Sequence, residues 1–288
     1  LDYVVEDSGA EILVVEPELR ERLAPIAGRR DLRLLSSDAL LEAESEPERE
    51  LPEVDPESGA LIIYTSGTTS RPKGVLTTHA NIAAQIGSLV DAWEWSADDS
   101  ILLVLPLHHV HGVVNVVGCA LWSGARCDML PAFDADEVWR RFAEADLTLF
   151  MAVPTIYSKL IAAWESQSED RRLELSDACA SFRLMVSGSA ALPVSTLERW
   201  REISGHVLLE RYGMTEIGMA LSNPLHGERR PGHVGQPLPG VEIRRLDESA
   251  APADDDTPAD IPVRGPAVFR GRWPPPEPAA AAVRPGGC

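Results

Sequence analysis

The sequence predicts an α/β fold in which a largely parallel sheet is covered by helices. Short apolar runs recur at residues 60–64, 101–105, 127–130, 147–153, 183–186 and 207–210, each the length of a buried strand. Segments between them put apolar residues on one helical face: Ile82, Ile86, Leu89, Val90 and Trp93, then Val138 and Phe142, then Leu160, Ile161 and Trp164. The loops with the most distinctive chemistry follow the strands, and open α/β sheets bind ligands at the carboxyl ends of their strands.

The composition narrows the class of protein. Of 288 residues, 44% are hydrophobic and 25% charged, ordinary proportions for a globular chain. A formal net charge of -19 argues against nucleic acid as a partner, because duplex binding needs a dense Lys/Arg surface to release counterions. The longest apolar run, residues 113–122, falls short of the roughly 20 residues that span a bilayer, and no segment reads as a secretion signal. No membrane insertion is expected. Cys119, Cys127, Cys179 and Cys288 are too widely spaced for a C-x-x-C pair and read as reduced thiols of an intracellular compartment.

In chain order, the opening L-D-Y-V-V-E-D-S-G-A-E-I-L-V-V reads as a helix end and a buried strand, as if the chain begins in mid-fold. Residues 1–41 are therefore assigned to a partial N-terminal subdomain. Residues 42–58, rich in Glu and Pro with little to bury, read as a solvated linker, and the core is expected over 59–245. After Val241 the pattern weakens into one strand (E-I-R-R-L-D), an acidic loop and a broken strand, so 246–272 is read as an incomplete β-rich end. Residues 273–288, W-P-P-P-E-P-A-A-A-A-V-R-P-G-G-C, resemble no packed element.

The strand at 60–64 opens into Thr65, Ser66, Gly67, Thr68, Thr69, Ser70, Arg71, Pro72, Lys73 and Gly74, after which a short apolar stretch leads to a helix beginning near His79. Glycines and small hydroxyl residues let successive backbone N–H groups turn toward one anion, and the hydroxyls donate further hydrogen bonds. Lys73 supplies a mobile positive charge. The bland alternative is a Ser/Thr-rich surface loop; the preceding strand and the Lys-Gly that follows favour a phosphate cradle. It is not the Walker pattern, because Gly67 and Gly74 are too far apart.

Four further motifs accompany the loop: P-L-H-H-V-H-G at 106–112, V-S-G-S-A-A-L-P at 186–193, E-R-Y-G-M-T-E at 210–216 and G-H-V-G-Q-P-L-P-G at 232–240. Together and in this order they resemble the signatures of the adenylate-forming superfamily of acyl-CoA synthetases, luciferases and peptide-synthetase adenylation domains. The variants are most similar to malonyl-CoA and methylmalonyl-CoA synthetases, especially the mitochondrial animal form, and the likeness runs from about Leu1 to Arg270. It implies the large N-terminal-type domain of these enzymes, with mixed, mostly parallel sheets and flanking helices. One departure is Ser70, where the family usually has glycine; a positive φ there would cost a serine on the order of 1 kcal/mol.

The resemblance also implies roles. Residues Thr65, Ser66, Gly67, Thr68, Thr69, Ser70, Arg71, Pro72 and Lys73 would hold the phosphates of ATP. Gly188, Ser189 and Ala190 would line the adenine slot, with Tyr212 stacked on the base. The E-R-Y-G-M-T run (Glu210, Arg211, Tyr212, Gly213, Met214 and Thr215) would complete the nucleotide site, with Thr215 on a phosphate oxygen. Glu216 would hold Mg²⁺, a hard cation that takes carboxylate and phosphate oxygens together. His109 would orient the α-phosphate and the substrate carboxylate; His108 reads as structural, and His111 could reach either way. A zinc site here is disfavoured, because adjacent histidines on an extended segment point apart and no Cys or carboxylate sits at ligand spacing.

For the acid itself, malonate or methylmalonate carries a second carboxylate that needs a fixed cation in a dry pocket. Arg183, at the start of R-L-M-V-S-G-S-A, is the candidate; pairing with a surface acid is its bland reading. Met214 and Met219 could shape the pocket wall or simply pack the core. The resemblance implies an acyl adenylate and pyrophosphate, then thioester formation with coenzyme A, in a mitochondrial setting. It also implies a C-terminal domain with a lysine on the α-phosphate. No such domain is read after Arg272, so a fragment of a synthetase is expected. The alternatives are a synthetase for a neutral acid or a nucleotide-binding remnant without turnover.

Overall fold

The computed structural model describes residues 1–42, 52–66, 71–247, 249–253 and 258–274. Along the chain the elements are α1 (Asp2–Ser8), β1 (Ile12–Val15), α2 (Arg20–Arg30), β2 (Arg33–Ser36), α3 (Ser37–Leu41), β3 (Gly59–Thr65), β4 (Lys73–Thr78) and α4 (His79–Trp93). Next come β5 (Ser100–Leu103), a π-helical segment (His111–Gly118), α5 (Cys119–Ser123), β6 (Arg126–Met129), α6 (Ala135–Glu144), β7 (Leu149–Ala152), α7 (Pro154–Glu165) and α8 (Glu169–Ala178). The remainder is β8 (Leu184–Ser187), α9 (Val194–Ser204), β9 (Leu209–Met214), β10 (Gly218–Ser222), β11 (Gln236–Pro237), β12 (Glu242–Ile243), β13 (Val263–Arg264) and β14 (Gly271–Trp273).

Two compact units result. The first joins Leu1–His79 with β14. In it β1 and β2 pair in parallel, while β3 and β4 form an antiparallel hairpin with β14 on the free side of β4. Tyr64 Oη donates to Asp7 Oδ2 at 2.7 Å, Trp273 Nε1 to the Asp7 carbonyl at 2.9 Å and Tyr3 Oη to the Pro72 carbonyl at 3.1 Å, which ties α1 to that sheet. Residues 59–79, expected with the core, therefore cluster with the N-terminal segment, to which Tyr3 and Asp7 of α1 tie them. The opening strand is also less buried than its apolar sequence predicts: within β1 only Val15 is buried. Most of the expected linker (43–51) and of the tail (275–288) lies outside the described residues.

The second unit, built from Ala80–Arg270, carries a seven-stranded sheet ordered β11-β10-β9-β8-β7-β5-β6. The strands β6, β5, β7, β8 and β9 run parallel, as alternating strands and helices predict, and β10 and β11 add an antiparallel edge. Every residue of β5, β7 and β8 is buried, because helices cover both faces. On one face Trp139 stacks on Trp200 at 5.7 Å, Phe142 meets Phe150 edge-on at 4.9 Å, and Trp200 Nε1 reaches Met185 Sδ. On the other, Trp93 Nε1 of α4 donates to Ser222 Oγ of β10 at 3.0 Å. Each buried side chain contributes about 1.5–3 kcal/mol.

Local signals fix the helix ends. Asp134 accepts the Glu137 N–H at 2.8 Å and caps α6, Pro154 opens α7 where its missing N–H costs nothing, and Gly205 ends α9 with φ 77°. No described helix is long and apolar enough to cross a membrane. Cys119, Cys127 and Cys179 are free thiols, and burial pushes Cys119 and Cys179 up to about 12.

Candidate functional site

The phosphate loop joins β3 to β4, so it closes an antiparallel hairpin in the first unit and does not lead from the parallel sheet into a helix. Thr65 pairs with Lys73 across its base. On its far side the Arg71 guanidinium lies 5.3 Å over the Tyr3 ring. Ser66 is exposed and Pro72 half-buried. Gly67, Thr68, Thr69 and Ser70 lie outside the described residues, and with them the question of strain at Ser70.

In the second unit a cluster forms at the carboxyl ends of β8 and β9 and the start of the π-helical segment. Alternation along the neighbouring parallel strands turns Gly188 and Arg211 toward one face, since Val186 pairs with Leu209 and Ser187 with Glu210. A Cβ at residue 188 would fall 2.3 Å from Arg211 Nε, so only glycine leaves room for the guanidinium. Ser189, an exposed residue, follows in the left-handed region at φ 67°, a conformation that costs a serine about 1 kcal/mol or more. Arg211 Nη2 donates to Ser189 Oγ at 3.3 Å, and Ser189 Oγ lies 3.4 Å from His111 Nδ1.

The protons can be assigned from this chain of contacts. Ser189 Oγ accepts from Arg211, so its own hydrogen turns to His111 Nδ1. Burial, reinforced by the charges on Arg211 and His109, holds His111 well below its ordinary range, so the ring is neutral and its proton sits on Nε2. Among the described residues that N–H has no partner, nor does Arg211 Nε. Burial alone pushes Arg211 down to about 9: this cation is 5% exposed and has no carboxylate beside it among the described residues. Two buried donors and a buried positive charge thus belong to one cluster linked through Ser189.

Other expected residues are differently placed. Thr215 and Glu216 form the tight turn between β9 and β10, with the Glu216 carbonyl accepting from Phe269 N at 2.8 Å. Met214 is exposed at its start, Met219 is buried, and Tyr212 is half-buried against the cluster of Ile217, Ala220, Leu221 and Val263. Ala190 is exposed. Glu210, expected with the nucleotide, points to the opposite face from Arg211 and accepts the Gly232 N–H at 2.9 Å, organising the following loop; burial raises its pKa despite that bond. The histidines correct a second expectation: their segment turns, with Gly112 N–H donating to the His109 carbonyl at 3.0 Å, and the His108 and His109 rings lie 4.3 Å apart. Burial and His108 lower the pKa of His109, which remains largely exposed.

Arg183 is the main correction. It precedes β8 at the amino end, about 16 Å of extended chain from Gly188. Its Nε and Nη2 grip Asp99 at 2.7 and 2.6 Å, and Nη1 and Nη2 donate to the carbonyls of Trp93 and Glu94. A guanidinium so engaged cannot serve as the cation of a substrate pocket. Arg211, assigned by the resemblance to the nucleotide, is buried with no carboxylate partner among the described residues. Gly188→Ala is expected to cost about 1–3 kcal/mol in urea denaturation, because its Cβ and the guanidinium cannot share one space.

One unit carries a parallel sheet with motif-bearing turns at the ends of its strands and the other a hydroxyl-rich hairpin loop, a pair of features found in AMP-binding enzymes. The chain belongs to the AMP-binding enzyme family, whose pattern matches residues 1–273. It is 47% identical to the mitochondrial malonate–CoA ligase of Mus musculus over 96% of this chain and 52% of that protein. Its fold matches ATP-bound MatB of Rhodopseudomonas palustris with a TM-score of 0.87 and 35% identity, covering 99% of this chain and 56% of that one. A malonyl-CoA ligase complex with methylmalonyl-CoA and AMP bound gives 0.85 at 35% identity, over 99% of this chain and 59% of that one. The chain spans about half the length of the curated relatives it matches.

Proposed function

We propose that this chain supplies the nucleotide- and acid-binding region of an AMP-forming malonate–CoA ligase, and that Arg211 grips the second carboxylate of malonate or methylmalonate. The carrying observation is the buried guanidinium without a carboxylate partner, flanked by the unused Nε2–H of His111 and the strained Ser189. A buried cation is strongly disfavoured unless paired, and a dicarboxylic acid brings the missing charge. A neutral acid would leave it unpaired, which weighs against the neutral-acid alternative.

Malonate held at Arg211 by one carboxylate leaves the other to attack the α-phosphorus of ATP, giving an acyl adenylate and pyrophosphate; the sulfur of coenzyme A then displaces AMP. Lys73 and the loop hydroxyls meet the phosphates, Thr215 contacts a phosphate oxygen, and His109 orients the reacting carboxylate. Glu216 offers the oxygen ligand that Mg²⁺ prefers, and the metal would offset charge on the departing pyrophosphate. Likeness to relatives named as mitochondrial supports a mitochondrial setting. The test is ATP–pyrophosphate exchange by the full-length protein, which should depend on malonate or methylmalonate; equal exchange with acetate or a long fatty acid would overturn the assignment.

A further inference from the structure

We propose that Gln85 is a positioning residue for the turn that carries Thr215 and Glu216, an inference that rests on the role proposed for that turn. Gln85 lies on the face of α4 that buries Ile86, Leu89 and Trp93, where an apolar side chain would be the ordinary choice. It is 3% exposed, and its Oε1 accepts the Met219 N–H at 2.6 Å. Burying an amide with Nε2 left unpartnered is unfavourable for folding, so the bond it does make calls for a reason.

That reason lies in the β9–β10 hairpin. Gly218 has φ 63°, and a Cβ there would lie 2.1 Å from Gln85 Oε1: the amide fills the space that a side chain at 218 would claim. On the other side, a Cβ at Gly213 would meet the Gly218 carbonyl oxygen at 2.2 Å, so the two arms of the hairpin touch backbone to backbone. Past this contact the register shifts between Met219 and Leu221. The tip is therefore held by the Gly213–Gly218 contact within the hairpin, by Phe269 N–H on the Glu216 carbonyl, and by Gln85 at the first residues of β10. Removing Gln85 Oε1 frees the stem on which Thr215 and Glu216 are aimed.

The experiment has a ligand-free arm and a binding arm. Gln85→Met keeps the length of the side chain and removes the acceptor; Gln85→Glu keeps an oxygen acceptor. In the ligand-free chain, hydrogen exchange at the Met219 amide should quicken in Gln85→Met and stay near the unmutated rate in Gln85→Glu. Titration with Mg·ATP should show affinity weakened about tenfold in Gln85→Met, the loss of one well-made hydrogen bond, with malonate affinity unchanged and Gln85→Glu close to the unmutated chain. Unchanged amide exchange in Gln85→Met overturns the proposal, as does faster exchange with unchanged Mg·ATP affinity. Parallel losses of Mg·ATP and malonate affinity would reduce Gln85 to a structural residue and overturn it too. If the unmutated chain binds no Mg·ATP while the amide effect is present, the role assigned to the turn fails, and the inference falls with it.

Discussion

Arg211→Met should lower the affinity for malonate by about 30-fold to several thousand-fold, the range expected when one partner of a buried, hydrogen-bonded charge pair is removed. The prediction follows from what surrounds the guanidinium. Arg211 is buried without a counter-charge among the described residues, and Gly188 leaves the space that its guanidinium occupies. Methionine fills a similar volume and removes a charge that burial disfavours, so the variant should fold at least as well as the unmutated chain. That separation gives the test its force: calorimetric titration with malonate should collapse while the urea midpoint holds or rises. Arg211→Lys should rescue little, since a single ammonium cannot reproduce the fork that meets a carboxylate and Ser189 at once. Retained malonate binding in Arg211→Met would refute the assignment of this cation.

Arg183→Ala should do the reverse, leaving malonate binding intact and costing about 3 kcal/mol of stability, because it strips a buried carboxylate of its partner. Asp99 is the buried member of the pair, its side chain 3% exposed. Burial pushes its pKa up, but hydrogen bonds from Arg183, Ser96 N–H and Thr148, with the charge of Arg183, outweigh that and hold it below 3.8. A carboxyl with a lowered folded-state pKa contributes stability that is complete above its unfolded value and is lost as pH falls through the folded one. In Arg183→Ala the opposing burial effect remains, so the Asp99 pKa should rise and protonation should relieve the strain. The gap between variant and unmutated chain should thus be widest at pH 7 and narrow toward pH 4, read by urea denaturation at both. A constant gap, or a gap with lost malonate binding, would contradict the structural role.

The parallel strands were legible because they coincide with short apolar runs separated by amphipathic helices, and in β5, β7 and β8 burial on both faces leaves no alternation to confuse. Several strands escaped notice, β4 and β10 among them. β4 (K-G-V-L-T-T) follows the loop with too little apolar length, and β10 (G-M-A-L-S) sits behind a tight turn. The pairing of β4 with β3 makes the loop between them a hairpin, and sheet partnership is a long-range property that local periodicity does not encode. For the site, the motifs located the right turns but not the direction of individual side chains. Arg183 was misassigned although a signal existed: it precedes its strand, whereas ligand sites in such sheets follow theirs. Arg211 was found in its motif yet given to the nucleotide. The feature that supports the role proposed for it, a glycine facing it from the neighbouring strand, needs the register of β8 and β9.

The hairpin that carries the phosphate loop has a consequence for how anions are held. In a loop that runs straight into a helix, the aligned peptide dipoles place the equivalent of about half a positive charge beside the phosphate. Here β4 intervenes, and α4 starts only at His79, a whole strand beyond Lys73. Antiparallel strands have almost no net dipole to lend. If the loop holds a triphosphate as proposed, the attraction would fall to the charges of Lys73 and Arg71 and to individual N–H and O–H groups, a field that dissolved salt weakens readily.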